Sequence, residues 1–116
     1  MMTQGKVWGE TTEIFKNMNT EVHYLEVDKN GFCSEHKHNY KYNIFFVIEG
    51  RLRIKIWRER GKEPDITVLG PKEWSAVPPG TYHQFEAIDN TKCLEIYQVF
   101  LEEIDIIRRK VGGIKK

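Results

Sequence analysis

Between Thr20 and Phe100 the chain is a succession of short runs rich in Val, Ile, Tyr, Phe and Trp, each closed by turn-forming residues. The runs are Thr20 to Lys29, Glu35 to Tyr40, Asn43 to Arg58, Asp65 to Leu69, Trp74 to Val77, Tyr82 to Ile88 and Cys93 to Phe100. Strands at such short, regular spacing predict an all-β sandwich or barrel. Within them, Arg51-Leu52-Arg53-Ile54-Lys55-Ile56 alternates strictly, so Leu52, Ile54 and Ile56 share a dry face opposite the cations. Ile44-Phe45-Phe46-Val47-Ile48 is apolar at every position. Both of its faces therefore need cover, the inner from the core and the outer from a second sheet, the N-terminal arm or another subunit. Pro78-Pro79 argues against a central strand at that point. Only Glu102 to Lys110 has helix-like spacing, with Ile104, Ile107 and Val111 preceding Gly112-Gly113.

At 116 residues the chain is expected to form one domain with a single core, residues 1–116 throughout. Eighteen Lys and Arg against seventeen Asp and Glu leave a formal charge of +1, which argues against a nucleic-acid partner. No apolar N-terminal stretch resembles a leader or a membrane span, and Cys33 and Cys93 are too few for a disulfide framework. A reducing cytoplasm is the expected compartment, with both cysteines as small buried apolar groups.

Three of the four histidines fall in two patterns. His36-Lys37-His38 is followed by Asn43 and Gly50, and Gly70 is followed by Pro78, Gly80 and His83. On a strand, His36 and His38 point to one face while Lys37 points away, so both imidazoles can converge on one ion. His83 follows a Pro-x-Gly turn and would enter the interior at a strand start, with Phe85 and Ala87 on the same face. Asn43 has the opposite parity to His38 and can face inward only if Asn39 to Tyr42 bend or bulge. A mixed imidazole and oxygen set suits a divalent transition metal, Fe, Mn, Ni, Co or Zn, without selecting among them. His23 lies outside both patterns and is expected to be a surface or packing residue.

Gly31, His36-x-His38, Asn43 and Gly50 resemble the first motif of the cupin superfamily, and Gly70, Pro78-x-Gly80 and His83 resemble the second. The resemblance implies a double-stranded β-helix, the jelly-roll cupin barrel, of six to eight strands with a metal held by His36, His38, Asn43 and His83. Asn43 stands where most metal-binding cupins carry Glu, so the ligand shell brings no charge. Val7-Trp8-Gly9, Val77 to His83, Glu95 to Val99 and Asp105-Ile106-Ile107-Arg108 are similar to the cupin domain of the mannose-6-phosphate isomerase and GDP-mannose pyrophosphorylase family. That family's first motif reads Gln-x-His-His-x-Arg-x-Glu, and here His36 replaces Gln, Lys41 replaces Arg and Asn43 replaces Glu.

Three functions fit these residues. One is a sugar or sugar-phosphate isomerase or epimerase, in which a metal polarises a substrate oxygen while a side chain moves a proton. It needs an inward base. Glu35 and Glu86 have the wrong parity, which leaves Lys41, Tyr82 and Tyr97 as candidate catalytic groups, and Phe85, Gln98 and Trp74 as candidate substrate contacts. The others are a three-histidine iron-dependent dioxygenase and a non-enzymatic sugar-binding accessory module. The expected partners are a small molecule such as a sugar phosphate and a second copy in a homodimer, with neither nucleic acid nor membrane.

Overall fold

A computed structural model describes residues 2–99 and residue 114. The described residues contain only strands: β1 (Thr3–Lys6), β2 (Gly9–Lys16), β3 (Thr20–Val27), β4 (Tyr42–Glu49), β5 (Leu52–Trp57), β6 (Asp65–Leu69), β7 (Trp74–Val77), β8 (Tyr82–Ala87) and β9 (Thr91–Gln98). They form a six-stranded sheet in the order β1-β2-β3-β9-β4-β7 and a three-stranded sheet in the order β6-β5-β8. All pairings are antiparallel. The architecture is thus the expected all-β jelly roll. The helical segment expected at Glu102 to Lys110 lies outside the described residues.

Strict alternation places the core. Leu52, Ile54 and Ile56 of β5 are buried between the sheets, beside Phe85 and Ala87 of β8 in their own sheet and opposite Phe45 and Val47 of β4 and Leu25 and Val27 of β3 in the other. Each of these Val, Leu, Ile and Phe side chains contributes about 1.5–3 kcal/mol by leaving water. Cys33 and Cys93 are free thiols within this core. Burial pushes them up to about 11 and about 12, so both stay protonated at neutral pH.

Three features depart from the sequence expectation. Asn43 to Arg58 is two strands, because Gly50 at φ 94 turns the chain, and a Cβ there would collide with the Asn90 carbonyl and Thr91. Glu35 to Tyr40 is not a continuous strand: His36 forms a single bridge to His83, and the chain then bends at Asn39 and Tyr40. The N-terminal arm does not cover Ile44 to Ile48. Instead it forms the hairpin β1–β2, which extends the large sheet beyond β3. The outer face of that sheet therefore keeps half-buried Val22, Ile44, Phe46, Leu94 and Ile96, with Trp74 exposed at its rim. The outer face of the small sheet, by contrast, is laced by Arg53 and Lys55 on Glu86 and by Arg58 on Asp65.

The inner faces change character along the strands. On β9, Thr91 and Cys93 are succeeded by Glu95 and Tyr97, and on β3, Val27 and Leu25 give way to His23 and Glu21. On β4, Val47 and Phe45 lead to Asn43, and on β8, Ala87 and Phe85 lead to His83. One end of the molecule is thus a dry core, and the other is a polar mouth.

Candidate metal centre

The backbone sets the histidines before their side chains do anything. His36 and His83 exchange both main-chain hydrogen bonds, N to O at 3.0 and 2.8 Å, so they sit directly opposite each other. The Gly80 amide donates to the His38 carbonyl at 2.7 Å, and Gly80 adopts φ 77, a conformation that favours glycine. This tie brings the Pro-x-Gly turn against the His-x-His segment. The rings of His36, His38 and His83 lie 4.5 to 5.5 Å apart, centroid to centroid. One ring nitrogen from each lies within 4.8 Å of the other two, so the trio could hold a metal ion.

Hydrogen bonding fixes which nitrogen is offered. Nδ1 of His36 lies 2.7 Å from the Ser34 carbonyl and Nδ1 of His83 lies 3.0 Å from the Thr81 carbonyl. A carbonyl only accepts, so each Nδ1 carries the proton and each Nε2 presents a lone pair. His38 Nε2 is buried with no partner. Nε2 of His83 lies 2.9 Å from Asn43 Oδ1, so in this tautomer two acceptors face each other. Burial drives His83 down to about 4 and also lowers His38, which keeps both imidazoles neutral at pH 7. An orphaned nitrogen beside a pair of converging lone pairs is a donor set that suits a cation.

Asn43 is fully buried, turned inward by the bend at Asn39 and Tyr40. Its Nδ2 makes no hydrogen bond of good geometry, although it lies close enough to Glu95 to favour that group's charged form. Glu95 is the residue sequence reasoning missed. It lies on β9 between the inward residues Cys93 and Tyr97, and is itself only 9% exposed. Its burial raises its pKa, a push opposed by Asn43, Tyr97, His23 and His36. The period-two parity shared with Cys93 and Tyr97 was the available signal.

Glu95 opens into a cavity of about 260 Å³ together with His36, Tyr97, His23, Trp8 and Phe85. Trp8 packs edge-on against Phe85 at 5.1 Å, giving the cavity an aromatic wall. Tyr97 lies against His38, ring centroids 5.0 Å apart, and burial pushes its hydroxyl far above the usual range. His23 shares the cavity and bonds Glu21 at 3.2 Å.

The other sequence candidates differ in placement. Lys41 pairs with Glu21 at 3.3 Å, holds its ammonium 5.3 Å from the Tyr97 ring centroid and borders a recess that Tyr97 also lines. Gln98 has the opposite parity to Tyr97 on β9. Tyr82 has the opposite parity to His83 and is exposed beneath the Lys37 ammonium. Trp74 is 64% exposed on the outer face, since its partner Phe46 points outward. Glu86 is turned outward onto Arg53 at 2.6 Å, as its parity required.

Two antiparallel sheets rolled together, with a histidine trio at one mouth, make the fold that of a cupin domain. The structure matches KdgF from a Halomonas species with a TM-score of 0.72 at 14% identity, over 87% of this chain and 90% of that one. The cupin domain of Schizosaccharomyces pombe Cnp3 also gives 0.72, at 11% identity, over 86% of this chain and 69% of that one. Oxalate decarboxylase of Bacillus subtilis, described with Mn(II) centres, gives 0.74 at 17% identity, over 84% of this chain and 27% of that one. No protein-family model matches the sequence, and no curated protein matches it.

Proposed function

We propose that the protein is a divalent-metal-dependent isomerase or epimerase acting on a sugar or sugar phosphate. The observation that carries this is Glu95, a buried carboxylate opening into the same cavity as His36 but outside the histidine trio. It supplies the inward base that the sequence motifs lack. His36, His38 and His83 would hold the metal, with Asn43 Oδ1 adjoining. Bound there, the metal supplies Lewis-acid polarisation of a substrate oxygen. Glu95 takes a proton from the carbon adjacent to the polarised carbonyl carbon and returns it to the carbonyl carbon, while the hydroxyl proton of the first carbon passes to the carbonyl oxygen, so carbonyl and hydroxyl exchange places and the composition is unchanged. Tyr97 keeps its own proton and offers a hydrogen bond. Trp8 and Phe85 wall the cavity with apolar surface, which suits the C–H face of a sugar ring and keeps water from the exchanging proton.

The test is metal-loaded protein with mannose 6-phosphate or fructose 6-phosphate in D2O, with deuterium at the exchanging carbon read by NMR. Glu95→Gln should retain stoichiometric metal and lose exchange by about 100-fold or more. Substrate-dependent oxygen consumption on an iron-loaded site would instead favour the dioxygenase, which a carboxylate-free histidine trio also suits. Stoichiometric metal without turnover would favour the binding module.

The expected homodimer would use the outer face of the large sheet, where Val22, Ile44, Phe46, Leu94 and Ile96 are half-buried and Ile48 and Trp74 are exposed.

A further inference from the structure

The cavity has two chemically different ends. Its inner end carries Glu95, Tyr97 and His36, whereas its outer wall is the N-terminal hairpin, which contributes Gln4 and Lys6 from β1 and Thr11 from β2. The register explains the grouping: Gln4 pairs with Thr11 and Lys6 with Gly9, and Thr11 and Gly9 pair in turn with the inward residues Leu25 and Val27. All three side chains therefore fall on the inner face. An amide, an ammonium and a hydroxyl are together a set of hydrogen-bond donors, and the Ser34 hydroxyl adds another on the facing loop. Among the described residues Lys6 is in none of the ion pairs, which engage Lys16, Lys41, Arg51, Arg53, Lys55, Arg58 and Lys92. Glu13, the acid on the hairpin's inner face, borders an adjoining recess that Gln4, Thr11 and His23 also line, whereas Lys6 lines this cavity and not that recess.

We propose that Lys6, flanked by Gln4 and Thr11, binds an anionic group, phosphate or carboxylate, at the far end of the substrate and selects charged over neutral polyols. This rests on the cavity being the substrate site of the proposed isomerase, and it assigns the hairpin a role that nothing in the histidine motifs requires. Lys6 is a specificity residue, remote from the reacting carbons, so its loss should change substrate affinity and leave the metal in place.

The experiment titrates fructose 6-phosphate and fructose into the metal-loaded full chain by calorimetry, with wild type and Lys6→Met, which keeps the apolar stem and removes the charge. Metal content is measured on every sample. The expected result is that wild type prefers the phosphate, that Lys6→Met loses about tenfold or more of its affinity for fructose 6-phosphate, and that fructose binding and metal content do not move. Fructose 6-phosphate affinity in Lys6→Met within twofold of wild type would overturn the assignment. So would a wild type that shows no preference for the phosphate or binds neither sugar. Either failure with full metal occupancy would leave the histidine site intact, whereas loss of metal binding in wild type would strike the functional proposal itself.

Discussion

Acidifying the metal-free protein should expose what it costs to keep His83 neutral. The ring is 1% exposed and held down to about 4 against an ordinary value of 6.5. In the unfolded chain it takes up a proton as pH falls below 6.5, whereas in the native state it resists until about 4, so the unfolded state binds more protons across that window. Stability contributed through His83 is therefore constant above 6.5 and falls as pH drops toward 4. The difference of about 2.5 pH units corresponds to about 3 kcal/mol. Glu95 acts with the opposite sign, because its raised pKa makes acid relieve a buried charge. The wild-type curve alone would mix the two, so the measurement is the stability gap between wild type and His83→Gln, by urea denaturation in chelator at pH 7, 6, 5 and 4. Wild type should lose about 3 kcal/mol relative to the variant between pH 7 and pH 4. Parallel curves would refute the neutral, desolvated His83 on which the donor set depends. Restoring a divalent metal should steepen the wild-type loss, because a proton on Nε2 competes for the lone pair that a cation would use.

Asn43→Asp should tighten divalent-metal binding by about tenfold or more in a competitive chelator titration, since it places a charged oxygen where the neutral Oδ1 lies 2.9 Å from His83 Nε2. Half a turn of the Asn43 amide would satisfy that nitrogen without a cation, an option aspartate lacks, so unchanged affinity would place Asn43 outside the coordination sphere. The same variant should destabilise the metal-free protein by about 1–3 kcal/mol, because a second carboxylate is buried beside Glu95. Phe46→Arg should convert a dimer to a monomer in sedimentation velocity with unchanged circular dichroism, and a monomeric wild type would rule out the sheet face as a self-association surface.

Where side-chain parity controlled the outcome, the sequence was readable. Leu52, Ile54 and Ile56 alternate with cations, and the same two-residue period carried His83, Phe85 and Ala87 inward and Glu86 outward. The histidine segment was readable by composition but not by shape, because its geometry comes from hydrogen bonds to residues more than forty positions away, His36 to His83 and Gly80 to His38. The hairpin β1–β2 gave little signal: Thr3–Lys6 is exposed at every position and Gly9-Glu10-Thr11-Thr12 has no apolar face, so its pairing with β3 is what makes it a strand. Glu95 was hidden by an ordinary assumption, that a carboxylate in a strand faces water. Parity could not place Lys41, which lies in the connection before β4 and reaches the Tyr97 ring at 5.3 Å, whereas Gln98 has the parity of Ile96 and is turned to the other face of β9.

The charge balance of the mouth connects these residues. Three neutral imidazoles and an amide would leave a bound dication with its full +2, and a low-dielectric pocket makes that uncompensated charge expensive. A cupin-like site with a ligating glutamate would cancel half of it at the metal. Here Glu95 lies outside the trio in the cavity that His36 also lines, so its charge would offset part of the metal's across the cavity. With Lys6 at the outer wall, the loaded cavity would remain net positive by two charges: the metal's two and the ammonium, less Glu95. A substrate carrying a phosphate or carboxylate would supply the missing counter-charge itself, and would do so only when seated. A neutral Asn43 beside the trio would thereby couple metal retention to occupancy by an anion. Metal affinity should consequently rise when fructose 6-phosphate is bound and not when fructose is, a linkage that must be equal in both directions.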